Sequence, residues 1–239
     1  MENYYNGNLI VLEKNYLKKK GRPIKSNNDE IIKYEGKKNY YDNNNVKYLT
    51  IDNIIKLIEN TKNEYHKFIY MLMFETGGRI NEVRELKFKD IEMSGRVKIK
   101  TLKQRSKSNV FRYIKISDKM LALILNRKNV YKLDDDDYVL CKIDKKNNKK
   151  NVITEKCINE SLKRNVNLIL TSAYIDKAHC HVFRHSKAIF LLDKGLDIVS
   201  LKHFLGHSNI SNTLIYLRYA DNDFFKKLDK INENIYEIN

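Results

Sequence analysis

Three separated segments of this chain each place a cation or a proton-transfer group beside a turn. In the first segment, TGGRINE, Arg79 offers a planar pair of donors to an oxyanion. Glu82 follows at the spacing of neighbours on one helical face, so its carboxylate can hold that guanidinium in place. An arginine with a glutamate three residues later is also a common surface ion pair, so this segment alone does not establish a function.

The second segment, HVFRH, places His181 and Arg184 one helical turn apart. Both side chains can therefore reach a single bound anion, while the two apolar residues between them face the core. His185 follows directly. Together with His179 and Cys180, these histidines also suggest a second interpretation, as ligands of a metal ion.

The third segment, LGHSNISNTLIY, ends at Tyr216. Its glycine permits a tight turn that exposes His207, and the helix predicted after Ser211 carries Tyr216 back towards that turn. The three segments together supply cations, proton-transfer groups and a hydroxyl nucleophile, which phosphoryl transfer at a diester requires.

In order, spacing and residue type, the three segments resemble the motifs TGxRxxE, HxLRH and LGHxxxxTTxxY of the phage-integrase family of tyrosine recombinases. The departures are Phe183 for leucine and Asn212 for the first threonine, and the match runs over about residues 50–220. The resemblance implies a mainly α-helical catalytic domain with a small antiparallel β-hairpin, an α+β fold. It explains His181 and His185 without a metal, and it implies no cofactor.

The resemblance implies attack by the Tyr216 hydroxyl on a DNA phosphodiester, with Arg79 and Arg184 neutralising the charge of the transition state. The product is a 3′-phosphotyrosyl link, which conserves the bond energy of the diester, so rejoining needs neither metal nor ATP. Tyr219 and Tyr236 compete for the nucleophile's role, but their positions miss the family's spacing from the third motif.

Proton transfer in this mechanism needs a base and an acid. His181 and His207 are both placed to accept or share the tyrosine proton, and the resemblance does not decide between them. The family's general-acid lysine lies in a hairpin, eight residues before a proline. The apolar pair around Lys115 matches the surroundings of that proline, which puts Lys107 at the corresponding position and leaves Lys103 as the alternative.

Alternating apolar residues predict two strands, around residues 97–99 and 110–116, that form this hairpin. The stretch from Lys98 to Lys115 holds seven basic residues and no acidic one, which favours contact with DNA phosphates. The predicted DNA-binding side chains are those of Lys98, Lys100, Lys103, Arg105 and Arg112, with Lys20 and Arg22 nearer the N-terminus.

Apolar periodicity and capping residues predict the remaining elements. Thr50 caps a first helix and Ser117 caps another that runs through residue 125. Residues 138–143 are predicted to form a strand beside a basic loop at 145–150. The further predicted helices cover about residues 64–75, 80–86, 154–170, 183–194, 198–205, 211–219 and 222–233.

Three parts of the chain differ in composition. Residues 1–48 form a basic arm whose Gly-Arg-Pro core resembles an AT-hook, residues 49–220 form the catalytic domain, and residues 221–239 form a helix that packs in cis or exchanges between protomers. Most integrases carry a larger helical core-binding domain before the catalytic one. The sequence therefore favours either a catalytic-only recombinase, as some DNA invertases are, or a chain that clamps DNA differently.

The chain has 46 lysine and arginine residues against 30 acidic ones, a net charge of +16, which favours a polyanionic partner. An anionic membrane surface is the alternative on charge alone, but no apolar stretch approaches the length of a membrane span. With no secretion signal, the expected location is intracellular, in cytoplasm, nucleoid or the cytoplasm of a viral host. Three cysteines without metal-binding spacing predict reduced thiols.

The resemblance implies double-stranded DNA with a specific recombination site as the substrate and a homotetramer on that DNA, acting through a Holliday junction. Two other functions stay open. A type IB topoisomerase uses the same chemistry, although the third motif favours a recombinase. A non-enzymatic regulator would use residues 195–219 as a helix-turn-helix, but it would not require Arg79, Arg184 and Tyr216 together.

Overall fold

The computed structural model describes residues 46–101, 110–143 and 150–219. Helices α1 to α8 are Ile51–Asn60, Glu64–Thr76, Ile80–Arg84, Asp118–Val130, Glu155–Ile169, His181–Asp193, Ile198–Leu205 and Ser211–Leu214. Strands β1 to β4 are Arg96–Lys100, Phe111–Lys115, Cys141–Ile143 and Lys150–Val152. Short 3₁₀ helices occupy Phe88–Asp90, Ser172–Lys177 and Ile215–Arg218. These described ranges are mainly α-helical with two small antiparallel sheets, as the sequence predicts.

Capping residues set the first helices. The Thr50 hydroxyl accepts a hydrogen bond from the Asn53 amide and starts α1, which buries Ile54 and Leu57. Helix α2 ends at Gly77, whose left-handed φ of 54° stops the helix and turns the chain towards α3. The predicted glycine break therefore delivers the first motif directly to a helix start.

Strands β1 and β2 form the predicted hairpin, with Val97 opposite Ile114 and Ile99 opposite Arg112. Residues at these positions point into the protein, and their neighbours along each strand point outwards. On the outer face, the Lys98 ammonium lies 4.2 Å from the centre of the Phe111 ring. The hairpin therefore has one buried face and one cationic, aromatic face.

The second sheet differs from the sequence prediction. The predicted strand at 138–143 is shorter, Cys141–Ile143, and it pairs with Lys150–Val152, which begins at the last residue of the predicted loop. Residues 145–149 of that loop lie outside the described residues. A three-residue strand carries too little apolar alternation to be recognised from sequence. Backbone pairing, rather than side-chain pattern, defines this element.

The main apolar core takes residues from α1 to α6 and from the hairpin of β1 and β2. Val182 and Phe183 of the second motif are fully buried, as predicted, and the Phe183 ring stacks on Tyr70 with centroids 5.3 Å apart. The Tyr70 hydroxyl in turn hydrogen-bonds to Ser161. Helix α6 is thus fixed against the core on one side and presents its other side to the C-terminal helices.

A second apolar cluster joins α6 and α7 to the end of the described chain, where Tyr216 is buried. The predicted helix at 211–219 is observed as α8 followed by the 3₁₀ helix Ile215–Arg218. The predicted helix at 222–233 and the basic arm with Lys20 and Arg22 lie outside the described residues. Within the ranges described, no helix has the length and apolar character needed to cross a bilayer.

Candidate active site

Arg79 immediately precedes helix α3, where its guanidinium is held by the predicted partner. Its Nη1 donates to Glu82 Oε1 at 2.8 Å, and its backbone amide donates to Glu82 Oε2 at 3.0 Å. The Arg79 side chain keeps 18% exposure while the Glu82 side chain has none. The pairing expected from the i, i+3 spacing is therefore present, with the arginine at the edge of the site.

Glu82 bridges two arginines. Its Oε2 also accepts a hydrogen bond from Arg112 Nη2 at 2.8 Å. Burial raises the Glu82 pKa, but Arg112 and Arg79 outweigh burial and hold that pKa below its usual value. The carboxylate therefore stays charged, and it fixes two guanidinium groups at once.

Arg112, which the sequence predicts to bind DNA, lies on the buried face of the hairpin instead of its outer face. Its side chain is only 8% exposed, because its position on β2 points to the buried face of the hairpin. Besides Glu82, its guanidinium donates from Nε to the Phe204 carbonyl at 2.9 Å and from Nη1 to Thr101 Oγ1 at 3.3 Å. A run of basic residues in sequence does not distinguish the inward position of a strand from the outward ones.

Arg184 lies inside the site on α6, with 3% of its surface exposed. Its Nη1 donates to the Gly77 carbonyl and its Nη2 to the Leu205 carbonyl, both at 2.7 Å. Burial, together with the nearby Arg79 charge, lowers its pKa to about 10. A buried cation beside a second cation is costly unless an anion joins them, so this arrangement is that of an anion site.

His207 follows Gly206, which has a left-handed φ of 65°. Its Nδ1 lies 2.9 Å from Thr213 Oγ1, a contact that fixes the plane of the ring. Burial lowers the His207 pKa to about 3, with the charges of Arg184 and Arg79 adding to the effect. The ring is therefore neutral near pH 7 and lies in the electrostatic field of both arginines.

Tyr216 is 1% exposed, and its hydroxyl lies 2.9 Å from His185 Nδ1. Burial raises the tyrosine pKa, while Arg184 and Arg79 pull it down, so the nearby cations partly offset the cost of ionising the phenol. His185, which the sequence indicated only as a supporting residue, is thus the histidine that contacts the nucleophile candidate. Burial lowers the His185 pKa to about 4.

The His181 ring neighbours two other histidine rings: its ring centre is 6.3 Å from that of His185 and 6.2 Å from that of His179. The His185 ring in turn contacts Tyr216, with centroids 5.7 Å apart. Across the described ranges, no group of three or more histidine, cysteine or acidic side chains could hold a metal ion.

The competing tyrosine, Tyr219, has a different environment. Its hydroxyl accepts a hydrogen bond from the Val46 amide at 3.4 Å, and its ring lies edge-on to Tyr48 with centroids 5.3 Å apart. It therefore packs against the start of the domain instead of the arginines. Tyr236 lies outside the described residues.

Lys98 and Lys100 occupy outward positions of β1, where a nucleic acid can reach them. Lys103, Arg105 and Lys107 lie outside the described residues, so the choice between Lys107 and Lys103 as general acid stays a prediction. Backbone pairing continues to the end of the hairpin next to residues 102–109, where the Thr101 amide donates to the Val110 carbonyl at 2.8 Å.

An arginine pair, a neutral histidine and a buried phenol, on a helical domain with a β-hairpin, are groups of the kind that phosphoryl transfer requires. The chain belongs to the phage integrase family, whose sequence profile matches residues 47–223. The motifs that suggested this family therefore fall within a match that covers most of the chain.

Curated relatives agree with this membership. The chain is 31% identical over 173 residues to a probable integrase/recombinase protein of Methanocaldococcus jannaschii, covering 68% of this chain and 49% of the relative. It is 28% identical over 187 residues to tyrosine recombinase XerA of Pyrococcus horikoshii, covering 77% and 61%. The chain therefore spans about half to three fifths of the length of these relatives.

Solved structures show the same fold. XerA recombinase matches with a TM-score of 0.61 and 21% identity, over 77% of this chain and 64% of that one. The catalytic domain of bacteriophage HP1 integrase matches with a TM-score of 0.52 and 21% identity, over 77% of this chain and 95% of the domain. The predicted tyrosine recombinase catalytic-domain fold is confirmed.

Proposed function

We propose that this chain is a site-specific tyrosine recombinase that breaks and rejoins DNA through a covalent link to Tyr216. The observation that carries the proposal is the position of the Tyr216 hydroxyl, 2.9 Å from His185 and in the field of Arg184 and Arg79 of the same chain. Membership of the phage integrase family supports it. Residues far apart in sequence thus surround one phenol.

Double-stranded DNA is the proposed substrate. A solved structure with this fold is XerH site-specific recombinase bound to palindromic difH substrate in a post-cleavage complex, and another is the Tn1549 transposon integrase with transposon right end DNA. The net charge of +16 and the outward lysines of β1 give this chain the complementary charge. The sequence of its own recombination site is open.

Charge neutralisation comes first in the proposed mechanism. A phosphodiester repels a nucleophile because its oxygens are negative, and the pentacoordinate transition state concentrates that charge. Arg79 and Arg184 supply preorganised donors to these oxygens, and such donors contribute roughly 3 kcal/mol each to transition-state stabilisation. His207, neutral and held by Thr213, supplies a further hydrogen bond from its other ring nitrogen.

The chemical step exchanges one ester bond for another. The Tyr216 oxygen forms a bond to phosphorus as the bond from phosphorus to the 5′ oxygen breaks, leaving a 3′-phosphotyrosyl link. The phenolic proton passes to His185, the ring already at the hydroxyl, and the departing 5′ oxygen takes a proton from Lys107. A 5′ hydroxyl of another strand reverses these steps, so neither ATP nor a metal ion enters the balance.

The enclosed phenol adds a requirement for DNA docking. With 1% exposure, the Tyr216 side chain has to leave part of its apolar pocket before its oxygen can reach a phosphate. We assign that movement to residues 211–218, a single α-helical turn followed by a 3₁₀ helix. The short element has few backbone hydrogen bonds to break, which suits a segment that must shift.

Assembly on DNA is the final element of the proposal. Tyr216 lies beside the arginines of its own chain, so cleavage occurs in cis, and each protomer cuts one strand. Two rounds of cleavage on two DNA sites, through a Holliday junction, then require four protomers. The homotetramer is therefore expected on DNA, with residues 221–239 as the candidate link between neighbours.

The test uses a pool of nicked duplexes with random sequence around the nick, incubated in EDTA and quenched with SDS. Cleavage near the nick releases a short fragment, so the covalent adduct accumulates and its DNA can be sequenced. Wild-type protein should enrich one sequence in adducts, and Tyr216→Phe should form none because the phenylalanine has no oxygen nucleophile. Tyr219→Phe is the matched control and should form adducts at the wild-type rate.

Each alternative outcome has a distinct meaning. Covalent adducts formed by Tyr216→Phe would show that Tyr216 is not the nucleophile. Adducts without any sequence enrichment, together with relaxation of every supercoiled plasmid tested, would indicate a type IB topoisomerase. Sequence-selective binding without any adduct would indicate a regulator.

A further inference from the structure

We propose that Arg112 is a positioning residue, which holds the phosphate-binding side chains of the site in register through three hydrogen-bonded contacts. The inference rests on the proposed function, because it assigns Arg112 a role in the same chemistry. The three partners of Arg112 are Glu82, the Phe204 carbonyl and Thr101. Each partner lies next to a different part of the site.

The first contact acts on Arg79. Arg112 Nη2 and the Arg79 amide share the same oxygen of Glu82, while the other oxygen holds the Arg79 guanidinium. Arg112 is thus the group that fixes the carboxylate from the side of the β-hairpin, and the Glu82 side chain is fully enclosed. Without it, Arg79 alone would hold the carboxylate, and the orientation of the Arg79 guanidinium would be less constrained.

The second contact acts on the turn before His207. Arg112 Nε binds the Phe204 carbonyl, next to the Leu205 carbonyl that binds Arg184. A Cβ added at Gly206 would lie 3.0 Å from both Cδ and Nη1 of Arg112, so the arginine packs directly against this turn. The position of the His207 backbone is therefore set by the guanidinium of Arg112.

The third contact acts on the hairpin. Arg112 Nη1 binds the hydroxyl of Thr101, the last described residue before the segment that contains Lys107. The Thr101 amide closes the hairpin against Val110. One planar group thus connects the first motif, the third motif and the end of the hairpin next to residues 102–109.

The chemistry of the side chain favours this role over a general stabilising one. A guanidinium has donors on three nitrogens in one plane, and a lysine ammonium at the same place cannot reach three partners in different directions. Burying Arg112 with Arg79 and Arg184 adds repulsion to the cost of desolvation, and Glu82 is the one carboxylate bonded to this group in the described ranges. A fold selected for stability alone would place an apolar side chain here.

The experiment compares Arg112→Lys with a matched control, Arg127→Lys. Arg127 is also partly buried, and its guanidinium also binds two backbone carbonyls, those of Val139 and Cys141, but it is surrounded by aromatic rings away from the site. Both substitutions keep the positive charge but remove the planar set of guanidinium donors, so both should lower the unfolding temperature. Only Arg112→Lys should alter the site of the protein that remains folded.

The probe is inorganic orthovanadate, which adopts the pentacoordinate geometry of phosphoryl transfer. Its dissociation constant is measured at a temperature where every variant is folded, and the Arg184→Lys variant verifies that vanadate binds at the site. Arg112→Lys should weaken vanadate at least tenfold, since misplacing site groups by about 1 Å costs up to about 100-fold in function. Arg127→Lys should bind vanadate as the wild type does.

A second measurement does not depend on vanadate. Histidine-selective NMR follows the titration of the six histidines, and Arg112→Lys should raise the pKa of His207, because Glu82 loses one of its two arginine partners and the turn opens to water. Should Arg112→Lys fail to fold, Thr101→Val removes one contact of Arg112 without changing any charge, and a weakening of about twofold or more is expected.

The outcomes separate the two proposals. Unchanged vanadate affinity and an unchanged His207 titration in the Arg112 or Thr101 variant would overturn the positioning role, and so would equal losses in the Arg127 control. A wild type that binds no vanadate would count against the proposed function, while the His207 titration would still decide the role of Arg112.

Discussion

Two regions of the molecule concentrate charge and balance it in opposite ways. In the site, Arg79, Arg112 and Arg184 surround one carboxylate, Glu82, and each of these side chains is largely withdrawn from water. On the surface, the loop at residues 134–137 holds four aspartates. Its ion-pair partners are Lys87, Lys89, Lys128 and Lys150.

The two regions differ in where the opposite charge comes from. The surface pairs are balanced within the chain and stay solvated, with the Asp136 side chain 74% exposed, so each pair contributes little to the free energy of unfolding. The site holds a cationic excess where water is largely excluded, and burial and like charge both oppose it. Such an excess is explained by an anion that binds there, which is the role a DNA phosphate has in the proposed function.

Replacing Arg184, the most buried arginine of the site, should reduce activity more than any other change except loss of the Tyr216 hydroxyl. It also tests directly whether the excess positive charge of the site serves to bind an anion. Arg184→Lys keeps the charge but loses the two bonds to the Gly77 and Leu205 carbonyls, so adduct formation should fall about 100-fold to 1000-fold. Single-turnover rates on the enriched nicked substrate measure this loss. Arg127→Lys serves as the control. A rate for Arg184→Lys within threefold of that control would contradict the claim that the buried arginines bind the phosphate.

Crowding at the turn beside the site should give a smaller effect. Gly206→Ala places a Cβ at a positive φ of 65°, which costs about 1–2 kcal/mol, and pushes it against Arg112. Urea unfolding measures the loss of stability and vanadate affinity measures the displaced site. Gly195→Ala is the matched control, with φ of 90° but no neighbour within 4 Å of the added atom. Equal vanadate affinities in the two variants would show that the contact with Arg112 is unimportant.

The two regions should also respond to acid in different pH ranges. Burial lowers the pKa values of His207 to about 3 and His185 to about 4, whereas both titrate near 6.5 when unfolded. Their neutral state stabilises the fold fully above pH 6.5, and that contribution decreases as pH falls towards 4. The loop carboxylate Asp136, whose pKa is lowered by Lys89, contributes above pH 3.8 and loses its contribution below it.

Urea midpoints between pH 7.5 and 5.0 measure the histidine contribution, because unfolding in that range takes up about two protons from these rings. The double variant His185→Gln, His207→Gln should show a flatter dependence on pH. A wild-type midpoint that stays constant down to pH 5 would mean that the two rings are protonated in the folded state.

The smallest effect is expected on the surface. Asp136→Asn removes the partner of Lys87 and Lys89, but the carboxylate is exposed and the lysines remain solvated. Stability at pH 7.5 and the rate of adduct formation should match the wild type within error. A clear loss in either measurement would show that the loop is more than a balanced, solvated surface.

Local sequence was sufficient for the features that depend on neighbours along the chain. The cap at Thr50, the glycine stop after α2 and the pairing of Arg79 with Glu82 all involve residues within four positions of each other. The buried orientation of Phe183 follows in the same way from helical periodicity. These parts of the prediction are confirmed because their physical causes are local.

Long-range contacts were the part that sequence missed. Arg112 was predicted to face DNA, but it contacts Glu82, 30 residues away, and the Phe204 carbonyl, 92 residues away. His185 was expected only to support the site, but it contacts the Tyr216 hydroxyl across 31 residues. The alternation of buried and exposed residues on β2 was a signal for the inward position of Arg112, and the basic composition obscured it.

The sequence by itself determined which residue types are present and where most of the helices that carry them lie, because propensity, capping and periodicity act over a few residues. Helix ends were predicted less well: the helix predicted to end at residue 125 continues to Val130. The tertiary structure decided which arginine faces inwards, which histidine contacts the phenol and how Glu82 is shared between two guanidinium groups. Those choices depend on how α6, α7 and the β-hairpin pack, and the burial that results also sets the pKa values of the site.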